Sequence, residues 1–397
     1  MRKTLKIIVT SLILLCAWGV SGVFAQSGTE RPFITKWQGE AGKELVLPIF
    51  GTEYKLVIKN AKGEVVKSEE KITREDLKSP YAFTPDADGI YTVEAGPEGV
   101  KYMRTADIEE DIIIGDSEKL LTVVQFGTVG WESMECMFTG AGQMSFAANI
   151  DTPDLSKVTS MGFMFLECHA FNQPLNNWKV DNVTNMMGVF AKCDAFNQPL
   201  EKWNVSNVTN MEGMFIKCFA FNQPLNDWNV DNVTNMRRMF GICHAFNQPL
   251  NNWKVGNVTN MMEVFVQCHA FNQPLNEWDV SNVTNMEYMF NGCSSFNQPL
   301  DKWKVGKVTN MGYMFRYCHA FNQPLNEWDV SNVTNMNDMF SDCHAFNQPL
   351  DKWKVGKVTN MDYMFDDCST FDQPLNEWDV SKVTSMENMF NDCKNFN

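Results

Sequence analysis

Cysteine and histidine are the residues of this chain whose types and spacing most invite chemistry. Ten cysteines recur every 25 residues from Cys168 to Cys393, and all five histidines, His169, His244, His269, His319 and His344, directly follow one of them. Nucleophilic catalysis needs one singular constellation with its own base, so ten equal copies argue against a cysteine protease. A zinc site needs Cys and His converging at distinct spacings. Neighbouring copies would bring together only His244 with His269 and His319 with His344, and the histidines read as repeated loop residues. If copies stack about 4.8 Å apart, disulfides between them are open geometrically. Each cysteine has the same surroundings on both sides, however, and the column reads as buried thiols filling a core. Nine tryptophans, Trp178 to Trp378, would make a sugar-stacking ladder if they faced water, but their alternation with Val180 and its equivalents turns them inward. Asn-Val-Thr triplets, as at Asn182, match glycosylation acceptors and equally suit turns. Phosphate-cradling glycine loops, calcium nonapeptides and His-Glu-x-x-His pairs do not occur. The expectation is a protein with no catalytic residue, no metal and no cofactor.

Outward positions carry the remaining candidates. Tyr288, Tyr313, Arg316 and Tyr317 gather over two neighbouring copies, Tyr363 shares their column, and Tyr and Arg anchor interfaces when a partner buries them. A second candidate is a hydrogen-bonding strip of Asn176, Asn177, Asn204, Asn226, Asn229, Asn251 and Asn252. In later copies the same places alternate in charge, Glu277, Lys302, Glu327, Lys352 and Glu377, with Asp279, Lys304, Asp329, Lys354 and Asp379 beside them. That alternation predicts cross-strand pairs worth about 0.2–1 kcal/mol each, which would fix register.

The elements that must position these residues follow from the repeat. FNQPL recurs eight times and FDQPL once, from Phe171 to Phe371. A copy of 25 residues is too short for its own core and must bury its apolar face on its neighbours. In the copy beginning "FNQPLNEWDVSNVTNM" at Phe271, Trp278 and Val280 alternate like a strand. Met286, Met289, Phe290 and Cys293 fall at i, i+3, i+4 and i+7, which predicts one face of a short helix. Pro274 suits the strand entry, and Ser281, Asn282 and Thr284 supply turn and capping chemistry. Leu275-x-x-Trp278-x-Val280 has the spacing of a leucine-rich-repeat core with Trp in second place.

The fuller motif "PLNEWDVSNVTNMxxMFxxC" resembles the 25-residue repeat of BspA-like leucine-rich-repeat surface proteins, and the resemblance runs from about Asp151 to Asn397. It implies a right-handed solenoid displayed outside a bacterial cell and used for adhesion, and favours the turn role for the Asn-Val-Thr triplets. The expected fold class is an α/β solenoid with one short parallel strand and one short helix per coil, preceded by a small β-sandwich-like domain.

Boundaries follow shifts in the text. Arg2, Lys3 and Lys6 precede an apolar run that ends with Val23 and Ala25 at plausible cleavage positions, so 1–25 reads as a signal peptide. Residues 26–116 read as an Ig- or PKD-like β-sandwich module, with "DGIYTVEA" resembling its late strand. Residues 117–150 fit a degenerate capping repeat through Val123, Phe126, Trp131, Met134, Met137 and Phe138. Residues 151–397 are the repeats, with Pro153 in the first Trp slot. A formal charge of −15 disfavours nucleic acid and anionic lipid, and beyond the signal no stretch is long and apolar enough to span a bilayer. The expected function is secreted or cell-surface and non-enzymatic, binding a host extracellular-matrix or cell-surface protein. The rival is a structural spacer or self-assembling solenoid, whose copies would self-associate through an uncapped C-terminal end.

Overall fold

The computed structural model describes residues 30–396; the signal-peptide reading of 1–25 lies outside the described residues. Among the described residues eleven strands are formed, in chain order β1 Phe33–Gly39, β2 Leu45–Leu47, β3 Ile49–Lys59, β4 Val65–Arg74, β5 Tyr81–Phe83, β6 Gly89–Ala95, β7 Val100–Met103, β8 Ala106–Asp107, β9 Ile112–Ile113, β10 Leu120–Gln125 and β11 Ser145–Phe146. The main sheet has the order β11-β10-β1-β6-β3-β4, with β7 also pairing β3, while β2-β5 and β8-β9 form two-stranded sheets. In β1, Phe33, Thr35 and Trp37 face the core and the intervening side chains do not, the period of two that a half-covered strand requires. Buried Trp37 donates from Nε1 to Thr35 Oγ1 at 2.8 Å, so its one polar atom is satisfied. Pairing is antiparallel except for β10 with β11, which is parallel and begins the coil-on-coil stacking that follows. One continuous apolar core extends from Phe33 to Met389, and residues 31 onward form a single compact unit.

The repeats stack in parallel register, marked by single-residue bridges from Ser160 to Asn185, Asn210 and onward every 25 residues to Ser385. The coils are not those of the expected α/β solenoid with one short strand and one short helix each. No α-helix is present among the described residues, whose only helical piece is the 3-10 turn Ser117–Lys119, and neither a helix nor a strand is formed in each coil. Where the helix was expected, residues 287–292 form consecutive turns.

Hydrogen bonding gives the reason. The amides of Met286, Tyr288, Phe290 and Gly292 donate to Asn310, Gly312, Met314 and Arg316 of the next coil at 3.1, 3.0, 2.9 and 2.7 Å. Those of Met289, Asn291 and Cys293 close turns on Met286, Tyr288 and Phe290 at 3.1, 3.1 and 2.9 Å. Alternate amides are therefore committed to the neighbouring coil, whereas a helix needs them all for its own i−4 carbonyls. Tyr288 and Gly292 adopt φ of 57° and 76°, and this left-handed conformation recurs in every coil at the same two positions, four residues apart. The expected apolar set is buried, with Met286, Met289, Phe290 and Cys293 all inaccessible, but two successive turns place it there.

The expected strand fails for a related reason. Trp278 and Val280 are buried and Glu277 and Asp279 are exposed, yet the Trp278 amide bonds back to Leu275 at 3.0 Å and joins no ladder. Side chains add to the backbone contacts between coils. Trp278 Nε1 donates to Leu250 O at 2.9 Å and Cys293 Sγ to Phe265 O at 3.0 Å, each in the preceding coil. Asn247 Oδ1 accepts both the Asn272 amide at 3.0 Å and Gln273 Nε2 at 2.9 Å, and the same ladder runs from Asn172 to Gln373. The first two polar letters of FNQPL thus hold each coil to the one before. Phenylalanines complete the core, Phe271 stacking on Phe265 at 4.2 Å and Phe265 on Phe290 at 5.7 Å. In the last coil Val380 and Met386 are 40% and 46% exposed, against 1% and 0% for Val355 and Met361, so each coil's core is completed by its successor.

Candidate interaction surface

Copies differ at the left-handed slots of the turn segment, whose side chains range from buried Asp338 to exposed Tyr317. Tyr288 and Tyr313 occupy equivalent left-handed positions at φ 57° and 60°, conformations that cost a non-glycine residue about 1–2 kcal/mol. Their rings stack at 4.3 Å with planes 4° apart. Burial, followed by its neighbour Tyr313, pushes the Tyr288 hydroxyl well above its ordinary value. The Arg316 guanidinium lies 4.7 Å from the Tyr317 ring centre and 5.7 Å from that of Tyr313, and donates from Nη2 to the Tyr317 hydroxyl at 3.0 Å. Its Nη1 is 3.4 Å from Asp338 Oδ1, while its buried Nε has no hydrogen-bond partner. Asp338 is only 6% exposed, and burial raises its carboxyl above the usual range despite the opposing effect of Arg316. Tyr288, Tyr313, Arg316 and Tyr317 therefore form one aromatic and cationic patch, with Tyr317 39% exposed. Tyr363 is not part of it. Asp338 stands between Tyr313 and Tyr363 in the column, and the Tyr363 hydroxyl donates to Glu387 at 3.1 Å.

Much of the asparagine strip is engaged within the fold. Asn176 and Asn226 accept the backbone amides of Lys202 and Asn252 at 2.8 and 2.9 Å. Asn204 donates to Asp181 at 2.8 Å, Asn229 accepts the Asp231 amide at 3.0 Å, and Asn251 approaches Asn252 at 3.4 Å. Asn177 lines a polar cleft of about 560 Å³ with Thr128, Thr152, Pro153, Asp154 and Lys179, where Pro153 holds the slot that later coils fill with tryptophan. Charge alternation forms ion pairs Glu277 with Lys302 and Glu327 with Lys352. In the neighbouring column exposed Asp279 instead bonds within its own coil: it accepts the amide of Ser281 at 3.1 Å, and hydrogen bonding to Ser281 holds its carboxyl below the ordinary range.

The nine repeat tryptophans, Trp178 to Trp378, are 1–9% exposed and so present no ladder to water. The column cysteines are free thiols, and burial raises those from Cys168 to Cys368 well above the ordinary value and Cys393 to about 11. The expected approach of His244 to His269 is present, and Phe219, which the sequence reading passed over, extends it into a second aromatic strip. Phe219, 39% exposed, stacks on His244 at 5.1 Å, and His244 stacks on His269 at 4.9 Å. Its signal was available, because these three follow consecutive cysteines in one column.

A family described as "Mycoplasma protein of unknown function, DUF285" matches residues 132–253, 224–324 and 299–397. The chain belongs to this family. No curated protein and no solved structure matches it. The DUF285 match takes in every FNQPL coil and the Tyr–Arg patch, and leaves β1 to β10 outside. Its tandem spans agree with the repeat reading. No helix among the described residues of this DUF285 chain is long and apolar enough to cross a membrane.

Proposed function

We propose that this DUF285 protein is exported, is secreted or held at the cell surface, and acts without catalysis by binding a host extracellular-matrix or cell-surface protein through the turn side of its coils. The BspA-like character of the repeat belongs to the same reading. The patch of Tyr288, Tyr313, Arg316 and Tyr317 is the observation that carries it. Stacked aromatics beside a half-buried guanidinium have the composition of an interface centre, and they stand where other coils carry Gly188, Gly213, Arg238 or Glu263. A specific observation favours a second reading, a spacer with no external ligand: the paired charges of Glu277–Lys302 and Glu327–Lys352 follow a 50-residue duplication and neutralise one another. Binding of the purified chain to immobilised matrix proteins and to intact cells separates the two. Saturable binding to at least one is expected, and absence of binding to all would refute the adhesin.

A further inference from the structure

Asp342, His344 and Asp367 lie on two adjacent coils, and one ligand atom of each falls within 4.8 Å of the others. The repeat brings them together. Asp342 and His344 lie in one coil on either side of Cys343, and Asp367 is the equivalent of Asp342 one coil later. His344 Nε2 is 3.1 Å from Asp367 Oδ2.

Groups outside the triad hold it in position. Ser341, fully buried, donates from Oγ to Asp342 Oδ2 at 3.1 Å. The ring of His319 stacks on that of His344 at 4.8 Å, and its Nδ1 lies 2.9 Å from the Asp342 carbonyl oxygen, which fixes the imidazole plane. Such outer contacts are what orient ligands at metal centres.

Electrostatics point the same way. Several acids facing a neighbouring coil meet a base, as Glu167 meets Lys192, Glu212 meets Arg237 and Glu263 meets Arg238. The column through Asp342 instead carries three consecutive aspartates, Asp342, Asp367 and Asp392, and His344 is the nitrogen base paired with the middle one.

We propose that Asp342, His344 and Asp367 bind a divalent transition-metal cation of the Zn²⁺ type, one imidazole nitrogen and two carboxylates supplying three ligands and leaving further positions open. The imidazole decides the class, since Ca²⁺ and Mg²⁺ take oxygen ligands whereas Zn²⁺ accepts mixed nitrogen and oxygen. The buried thiols of the cysteine column do not compete, because each points into the core.

Calorimetric titration of the chain with Zn²⁺ is expected to show a saturable site that is lost in His344→Gln, a single change that keeps both carboxylates and spares the core. Ser341→Ala should weaken it about tenfold, as removal of an outer hydrogen bond does. Co²⁺ in place of Zn²⁺ should give a visible absorption band that His344→Gln abolishes. Absence of saturable Zn²⁺ binding, unchanged affinity in His344→Gln, or equally tight binding of Ca²⁺ would overturn the site.

Discussion

Gly213→Ala tests the turn architecture by the sign of its effect. Gly213 has φ 57°, and a Cβ there would meet only Ile216 Cγ2 at 3.5 Å, an ordinary contact, so no steric clash enters. Its amide donates to Arg237 O of the next coil at 2.8 Å. A left-handed alanine costs about 1–2 kcal/mol, while restricting the unfolded chain returns about 0.4–1 kcal/mol. A net loss of about 0.5–1 kcal/mol is expected. In a helix the same change would stabilise by about 1 kcal/mol, because glycine is the poorer helix former. Lys217→Gly is the reciprocal experiment: Lys217 has φ 61°, and relief of its strain should raise stability where a helix would lose it. Urea midpoints followed by tryptophan fluorescence read both signs. Stabilisation by Gly213→Ala together with destabilisation by Lys217→Gly would refute the alternating-amide turn and restore a helix.

Other expectations follow from the ladders and the titratable columns. Asn222→Ala strands two donors, the Asn247 amide and Gln248 Nε2, and should cost about 1–3 kcal/mol by chemical denaturation; Asn251→Ala, with one long contact at the surface, should stay within about 0.5 kcal/mol. Burial and neighbouring His269 lower the His244 imidazole below its ordinary value. Its contribution is therefore present above the unfolded value of about 6.5 and lost as pH falls through the folded one. A difference in urea midpoint between the parent and His244→Phe that does not change between about pH 8 and pH 5 would contradict this. Alkylation of the native chain at mildly alkaline pH should leave the fully buried thiols from Cys168 to Cys368 intact until denaturant is added, and mass spectrometry showing them modified in the native state would count against their burial.

The inward face of each coil was legible from residue types alone, because Leu275, Trp278, Val280, Val283, Met286, Met289, Phe290 and Cys293 are buried whatever backbone presents them. The backbone itself was misread. Spacing i, i+3, i+4, i+7 is produced equally by two turns in succession, and periodicity cannot tell where an amide points. A signal did exist: Gly188, Gly213 and Gly292 share columns with Asp338, Asp342 and Asn388 at two slots four apart, the residue types that tolerate positive φ. Repeat arithmetic placed Tyr288 beside Tyr313, and the same arithmetic puts Asp338 before Tyr363, which separates the latter from the patch. The asparagine strip could not be judged without knowing that Asn176 and Asn226 serve amides of the next coil.

The claim that recognition resides where copies differ is tested most directly by making the patch like another coil. Tyr288→Gly, Tyr313→Gly, Arg316→Ile and Tyr317→Lys install the residues that residues 213–217 already carry at these slots, so the fold has a precedent for each. Affinity for the matrix or cell-surface protein that the chain binds is compared with that of a control, Glu277→Asn with Lys302→Asn, on the charge-paired face. The account predicts a loss of at least about thirtyfold for the first variant, as expected when hot-spot residues worth about 2 kcal/mol are removed, and no change for the second. Equal affinity of the first variant and the parent chain would contradict it.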